Sequence, residues 1–222
     1  MNRIILVRLS LSLVCLALVT QSAPAQDWDR ELWLDQRFSV SLSPKTFLLL
    51  RLSQRANEDV SRLFETFVEL DMGFHARPWM TLMPGFLYDQ QNPFRPNSRS
   101  ENRPQLAILL HTRRERWRPN LRALLEGRFL SEEPGFLRFL LRPGVEYDLA
   151  TYKDRPLVLF LSNEFAFDSR SGRFSRNHFQ VGLSLPATPR FSIIPYYLIE
   201  SNRLPELWDR DHIWGFSFSW RF

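Results

Sequence analysis

The sequence predicts an all-β protein: a single antiparallel up-and-down transmembrane β-barrel, preceded by a cleaved signal peptide. Three observations carry that expectation. Apolar and polar residues alternate with period two in segments about eleven residues long, the side-chain period of a strand with two unlike faces. Short connections alternate with longer, more polar ones. The chain opens on a basic and then apolar stretch and closes on Phe222.

Taken in order, the start is a targeting segment. Arg3 and Arg8 precede an apolar run over 9–20, and Ala23-Pro24-Ala25 supplies the small residues for cleavage after Ala25. Spanning a bilayer takes about 20 apolar residues, so this run is too short to be an anchor. A lipoprotein signal at Cys15 is disfavoured, because Val14 precedes it and the apolar run continues past it. Cleavage removes two Arg and no acid, so the formal net charge falls from +5 to +3. The basic pI then gives little reason to expect a nucleic-acid partner. Cys15 leaves with the peptide, taking with it any disulfide or thiolate metal site. Residues 26–222 show no composition break and are read as one domain.

Strand segments follow at 32–42, 46–55, 63–74, 79–90, 103–113, 119–130, 135–149, 156–167, 174–185, 190–200 and 212–222. The last is the clearest, with His212, Trp214, Phe216, Phe218, Trp220 and Phe222 on one parity and Ile213, Gly215, Ser217, Ser219 and Arg221 on the other. No segment carries a 3.6-residue apolar stripe, so no helix is expected after the signal peptide. The segments number eleven, and bacterial barrels usually have an even number. Twelve strands are therefore expected, with a short extra strand hidden in 28–38, and ten is the alternative.

Period two alone fits a soluble β-sandwich as well. Strand length tilts the choice, since crossing the hydrocarbon takes about 9–11 residues and globular strands average about 5–6. Trp33, Trp79, Trp117, Trp208, Trp214 and Trp220 lie near segment ends, where an interfacial aromatic girdle would put them. Gly215, Phe218, Trp220 and the terminal Phe222 look like the signal by which the β-barrel assembly machinery recognises its clients, although Ile213 stands where a polar residue is usual. The expected location is the outer membrane of a Gram-negative bacterium. Outer-membrane lipids, lipopolysaccharide and that machinery are the expected partners, and the oligomeric state stays open.

If the apolar parity faces lipid, the other parity faces a lumen. Glu65, Glu69, Asp71, Arg122, Glu126, Arg128, Arg138, Arg142, Glu146, Asp148 and Glu164 would then line it. The inverse arrangement would cost about 2–4 kcal/mol for each Arg at mid-depth in lipid. All but two of the 29 basic residues are Arg, whose planar fork can bridge two carboxylates. A packed or narrowly hydrated lumen is favoured over a water-filled pore.

No catalytic, cofactor or metal residues are expected. A lipid hydrolase needs a Ser within reach of a His base, and a His two residues before a Ser would place both on one face. None of His75, His111, His178 and His212 is followed by Ser at that spacing, although partners could come from separate strands. Asp209, Asp211 and His212 are the one local match to a proteolytic acid–His cluster, read here as a solvated loop entering the last strand.

Short motifs run along the chain: Glu101-Asn102-Arg103-Pro104, Glu126-Gly127-Arg128-Phe129, Arg138 and Arg142 leading to Tyr147, Asn163-Glu164-Phe165 with Phe167, Asn177 before Val181-Gly182-Leu183, and Tyr196-Tyr197. In their order they resemble the bacterial outer-membrane barrel family known as domain of unknown function 2490. Members tend to place Arg after that Asn, where this chain has His178. The resemblance implies a barrel and no defined catalytic residue. The function expected is a non-enzymatic outer-membrane barrel, structural or weakly channel-forming. A lipid-modifying hydrolase and a secreted soluble β-sandwich are the alternatives.

Overall fold

The computed structural model describes residues 30–222 apart from 59, 132, 153 and 204–207. The signal peptide and its cleavage after Ala25 lie outside the described residues. The strands are β1 (Arg30–Ser43), β2 (Thr46–Asn57), β3 (Arg62–Arg77), β4 (Met80–Gln91), β5 (Arg99–His111), β6 (Trp117–Leu130), β7 (Phe136–Tyr152), β8 (Arg155–Asp168), β9 (Arg173–Pro186), β10 (Phe191–Arg203) and β11 (Trp208–Arg221). Each pairs antiparallel with the next, and one sheet closes on itself. Among the described residues there is no helix.

Closure corrects the strand count. The barrel has eleven strands among the described residues, neither twelve nor ten, because β1 and β11 pair parallel, from Arg30 opposite His212 to Ser39 opposite Arg221. A parallel seam lets an odd number close. It also puts the start of β1 at one rim and the end of β11 at the other. A single closed sheet has no second layer, so the β-sandwich alternative falls with it.

The strands run 12 to 17 residues, longer than the apolar segments, because pairing continues past them into both rims. At the turn rim the connections are 44–45, 78–79, 112–116, 153–154 and 187–190, and at the loop rim they include 58–61, 92–98, 131–135 and 169–172. Asp154 and Gly172 turn with positive φ, 61° and 62°, where Gly and short polar residues cost least.

The pleat sorts residues as the alternation requires. On β3, Glu65, Phe67, Glu69 and Asp71 are buried inside, while Val68, Leu70, Met72 and Phe74 are exposed outside. An interior belt of Met83, Ala107, Leu124, Leu140 and Ala166 runs in register across β4 to β8. A second cluster joins Trp33, Tyr196, Leu198 and Ile213. The Tyr196 ring lies over Gly215, in the space that a Cβ there would occupy. This interior glycine lets a large ring lie flat across β11.

The C-terminal residues also close the seam. Phe38 of β1 stacks on Trp220 of β11 at 4.8 Å between centroids, and Phe191 of β10 lies 5.0 Å from the same ring. Phe218 faces Phe191 in parallel planes at 6.5 Å. The Phe222 amide donates to the Ser39 carbonyl and its own carbonyl accepts from the Ser41 amide, which extends the pairing to the last residue.

Two expectations are corrected here. Trp33 is no girdle residue: it points inward and is 5% exposed, because the apolar parity of β1 is Leu32, Leu34, Phe38 and Val40. The Asp209, Asp211 and His212 cluster is part of β11 and not a loop. The pleat splits it, with Asp211 at an interior cavity and His212 beside Tyr197 on the exterior.

Candidate functional site in the barrel interior

Every strand contributes its polar parity to one interior, and cross-strand register decides which charges meet. Near the loop rim an alternating ladder crosses five strands. Arg103 of β5 donates to Asp89 of β4 at 2.6 Å and to Glu101 at 2.7 Å. Arg128 of β6 grips both oxygens of the same Glu101. Glu126 then lies 4.0 Å from Arg128 and 3.9 Å from Arg138 of β7, which grips both oxygens of Asp168 on β8. Asp89 and Glu101 are 0% and 2% exposed; Glu101 is answered at both oxygens and Asp89 at Oδ2 only, and buried charge is tolerated only with such partners.

Beside the ladder, Arg55 pairs with Glu65, and its guanidinium lies 3.7 Å from the centre of the Trp33 ring and 5.1 Å from that of Phe67. Trp33 donates its indole N–H to Glu31 at 2.7 Å. One ring thus carries a cation on its face and an acid on its edge, as its quadrupole favours.

At mid-height Arg51 bridges Asp35, at 2.9 Å, and Glu69, at 3.4 Å. Gln105 donates to Glu69 at 2.6 Å and Asp71 at 2.9 Å, and the Tyr196 hydroxyl donates to Asp35 at 3.2 Å. Across the interior Glu164 gathers Arg122 at 3.7 Å, Arg176 at 3.8 Å and His178 at 3.8 Å, and His178 also pairs with Glu200. The space left here is a cavity of only about 120 Å³. Larger ones lie on either side, about 490 Å³ at the loop rim and about 500 Å³ at the turn rim.

All eleven residues expected in a lumenal charge network face the interior, in several separate groups. Glu126, Arg128 and Arg138 share the ladder, and Arg122 meets Glu164. Glu65 joins Arg55, and Glu69 and Asp71 share Gln105. Glu146 and Asp148 stand near the turn rim with Arg118. Arg142 lines the interior with no ion pair among the described residues.

Several interior residues are absent from the expected lumenal set: Asp35, Arg37, Arg51, Arg55, Asp89, Glu101, Arg103, Arg176, His178 and Glu200. Parity could have found Arg51 and Arg55, which alternate with Leu48, Leu50 and Leu52. No group of three or more metal-ligating side chains is present among the described residues. On the exterior, Tyr197 and His212 are hydrogen-bonded, and Asn177 donates to Asn163 at 2.8 Å.

One family model, described as Protein of unknown function (DUF2490), matches residues 30–210, from the first residue of β1 into the start of β11. No curated protein matches the chain.

Proposed function

The chain belongs to the family described as Protein of unknown function (DUF2490), and from that premise we propose that it is a non-enzymatic integral barrel of the bacterial outer membrane, structural or weakly channel-forming. One observation carries the reading: the residue distribution is inside out. Large apolar side chains are left exposed around the outer wall, Leu70 at 52%, Phe86 at 46%, Leu106 at 47% and Leu137 at 54% among them, while carboxylates are sealed inside. Water would leave that wall an apolar surface far beyond what a soluble monomer exposes, and hydrocarbon makes it the stable arrangement. Closure supports the same reading, because a sheet without edges leaves no backbone group unpaired in lipid. Outer-membrane lipids and lipopolysaccharide are the surroundings this wall suits.

The ladder and the narrow middle leave little free path along the axis, so conduction is expected to be small or absent. The test is the refolded protein in planar bilayers beside a lipid-release assay. Large single-channel steps would sink the packed interior, and release of fatty acid would sink the non-enzymatic reading. Recovery of the protein in the periplasmic fraction without detergent would remove the membrane itself.

The lipid-hydrolase alternative has one observation behind it, the Tyr197–His212 pair on the wall that would face lipid. His212→Ala separates the two readings. Any lipid release that it abolishes belongs to this pair.

A further inference from the structure

The loop-rim and turn-rim cavities are nearly equal in volume, yet their charges are balanced differently. Each Arg lining the loop-rim cavity is ion-paired: Arg55, Arg62, Arg103, Arg128, Arg138 and Arg176. The turn-rim cavity is lined by Arg37, Arg118, Arg142, Arg155 and Arg221 against a single carboxylate, Glu146, which Arg118 engages at 3.4 Å. Among the described residues no carboxylate pairs with Arg37, Arg142 or Arg155.

Register makes the imbalance sharper. Arg37 stands directly opposite Arg51, and Arg142 directly opposite Arg122, a like-charge placement that is unfavourable by itself. In each pair one member is answered, Arg51 by Asp35 and Glu69 and Arg122 by Glu164. The other member, Arg37 or Arg142, lines the cavity without an ion pair among the described residues. Three buried donors there lack a hydrogen-bond partner: the Nε of Arg37, the Nε of Arg118, and the hydroxyl of Ser217, a residue only 1% exposed that lines the same space. Buried donors are seldom left unsatisfied.

We infer that the turn-rim cavity is a binding site for an anion bearing a phosphate or carboxylate group, held between Arg37 and Arg142 with Ser217 donating from the wall. Guanidinium forks on two separate strands suit the planar or tetrahedral oxygens of such a group. A volume of about 500 Å³ lies within the ordinary size of a small-molecule site, about 300–1,000 Å³. The anion supplies the direct partner that Arg37 and Arg142 lack, since Asp35 and Glu164, the acids that feel their charge, are engaged by Arg51 and Arg122. It can arrive as a free solute or as the phosphate of a lipid headgroup at the rim.

The test is thermal unfolding of the refolded protein in a zwitterionic detergent, with inorganic phosphate titrated against chloride at equal ionic strength. A second arm places the protein in phosphatidylcholine vesicles with and without phosphatidylglycerol. A free-anion site raises the midpoint with phosphate by about 5 °C near saturation and leaves chloride without effect. A headgroup site responds to phosphatidylglycerol and not to phosphate. No response in either arm overturns the proposal.

Arg142→Gln should abolish the response while leaving the ligand-free midpoint equal or higher, since it removes an in-register like charge. Ser217→Ala, which keeps the fold, should weaken phosphate binding several-fold. Arg95→Gln, in the loop 92–98, should keep the full response. A response that survives Arg142→Gln, or is lost equally in Arg95→Gln, would mark diffuse attraction and sink the site.

Discussion

The two halves of the interior are built from the same residue types and use charge in opposite ways. Toward the loop rim, Asp89, Glu101, Glu126 and Asp168 alternate with Arg103, Arg128 and Arg138 across five strands, each charge answered by the next. Toward the turn rim, Arg37 and Arg142 line a cavity whose one carboxylate, Glu146, is engaged by Arg118, and neither forms an ion pair among the described residues. Both regions come from the polar parity of paired strands, so composition cannot separate them. A paired ladder costs its desolvation and recovers it through neighbours, which makes it scaffold. A cation without a direct partner beside an open volume recovers less of that cost until something binds.

The largest test breaks the ladder at its shared acid. Glu101→Ala strips both Arg103 and Arg128 of their common partner, and the refolded barrel should lose about 3–5 kcal/mol, read as a lower urea midpoint. A loss under 1 kcal/mol would show that the ladder is not scaffold. Next comes the boundary between the halves, where Tyr196 lies over Gly215 and reaches Asp35. Gly215→Ala should cost about 1–3 kcal/mol, because a Cβ displaces the ring. Tyr196→Leu should relieve part of that cost, and failure to do so would place the role of Gly215 elsewhere, for instance in assembly.

Smaller effects sharpen the contrast. Arg55→Lys keeps the charge and loses the planar fork over Trp33, so about 1 kcal/mol should go, with a shift in tryptophan emission. Arg142→Gln is the mildest, neutral to about 1 kcal/mol stabilising by urea titration. Taken together, a costly ladder substitution beside a harmless turn-rim one would establish the division of labour. Equal costs would erase it.

How much was legible follows from where alternation is clean. On β3 and β7 the exterior parity is apolar almost throughout and the interior one carries most of the charge, Glu65, Glu69 and Asp71 on one and Arg138, Arg142, Glu146 and Asp148 on the other, with Phe67 and Leu140 among its apolar members, so these charged residues could be assigned from the pattern. On β1, β2 and β4 the interior also holds Trp33, Phe47, Leu49, Met83 and Leu87, which line the belt and the rings. Apolar residues then fall on both parities and the alternation blurs. That is why Trp33 looked like a girdle residue, and why Asp35, Arg51 and Asp89 went unassigned. The C-terminal pattern of Gly215, Phe218, Trp220 and Phe222 was visible as a motif, but its part in closing β1 against β11 was not.

By itself the sequence determined that the chain makes strands with one apolar and one charged face, because side-chain alternation is a property of the local pleat. It also determined the eleven segments, which an even-number rule then overrode. Tertiary structure alone decided that β1 and β11 meet in parallel, since closure depends on how far the register has shifted around the whole sheet. It also decided which charges are answered. Glu101 meets Arg128 across 27 positions of chain, and Arg37 and Arg142 form no ion pair among the described residues, because pairing is set by the neighbouring strand and not by the neighbouring residue.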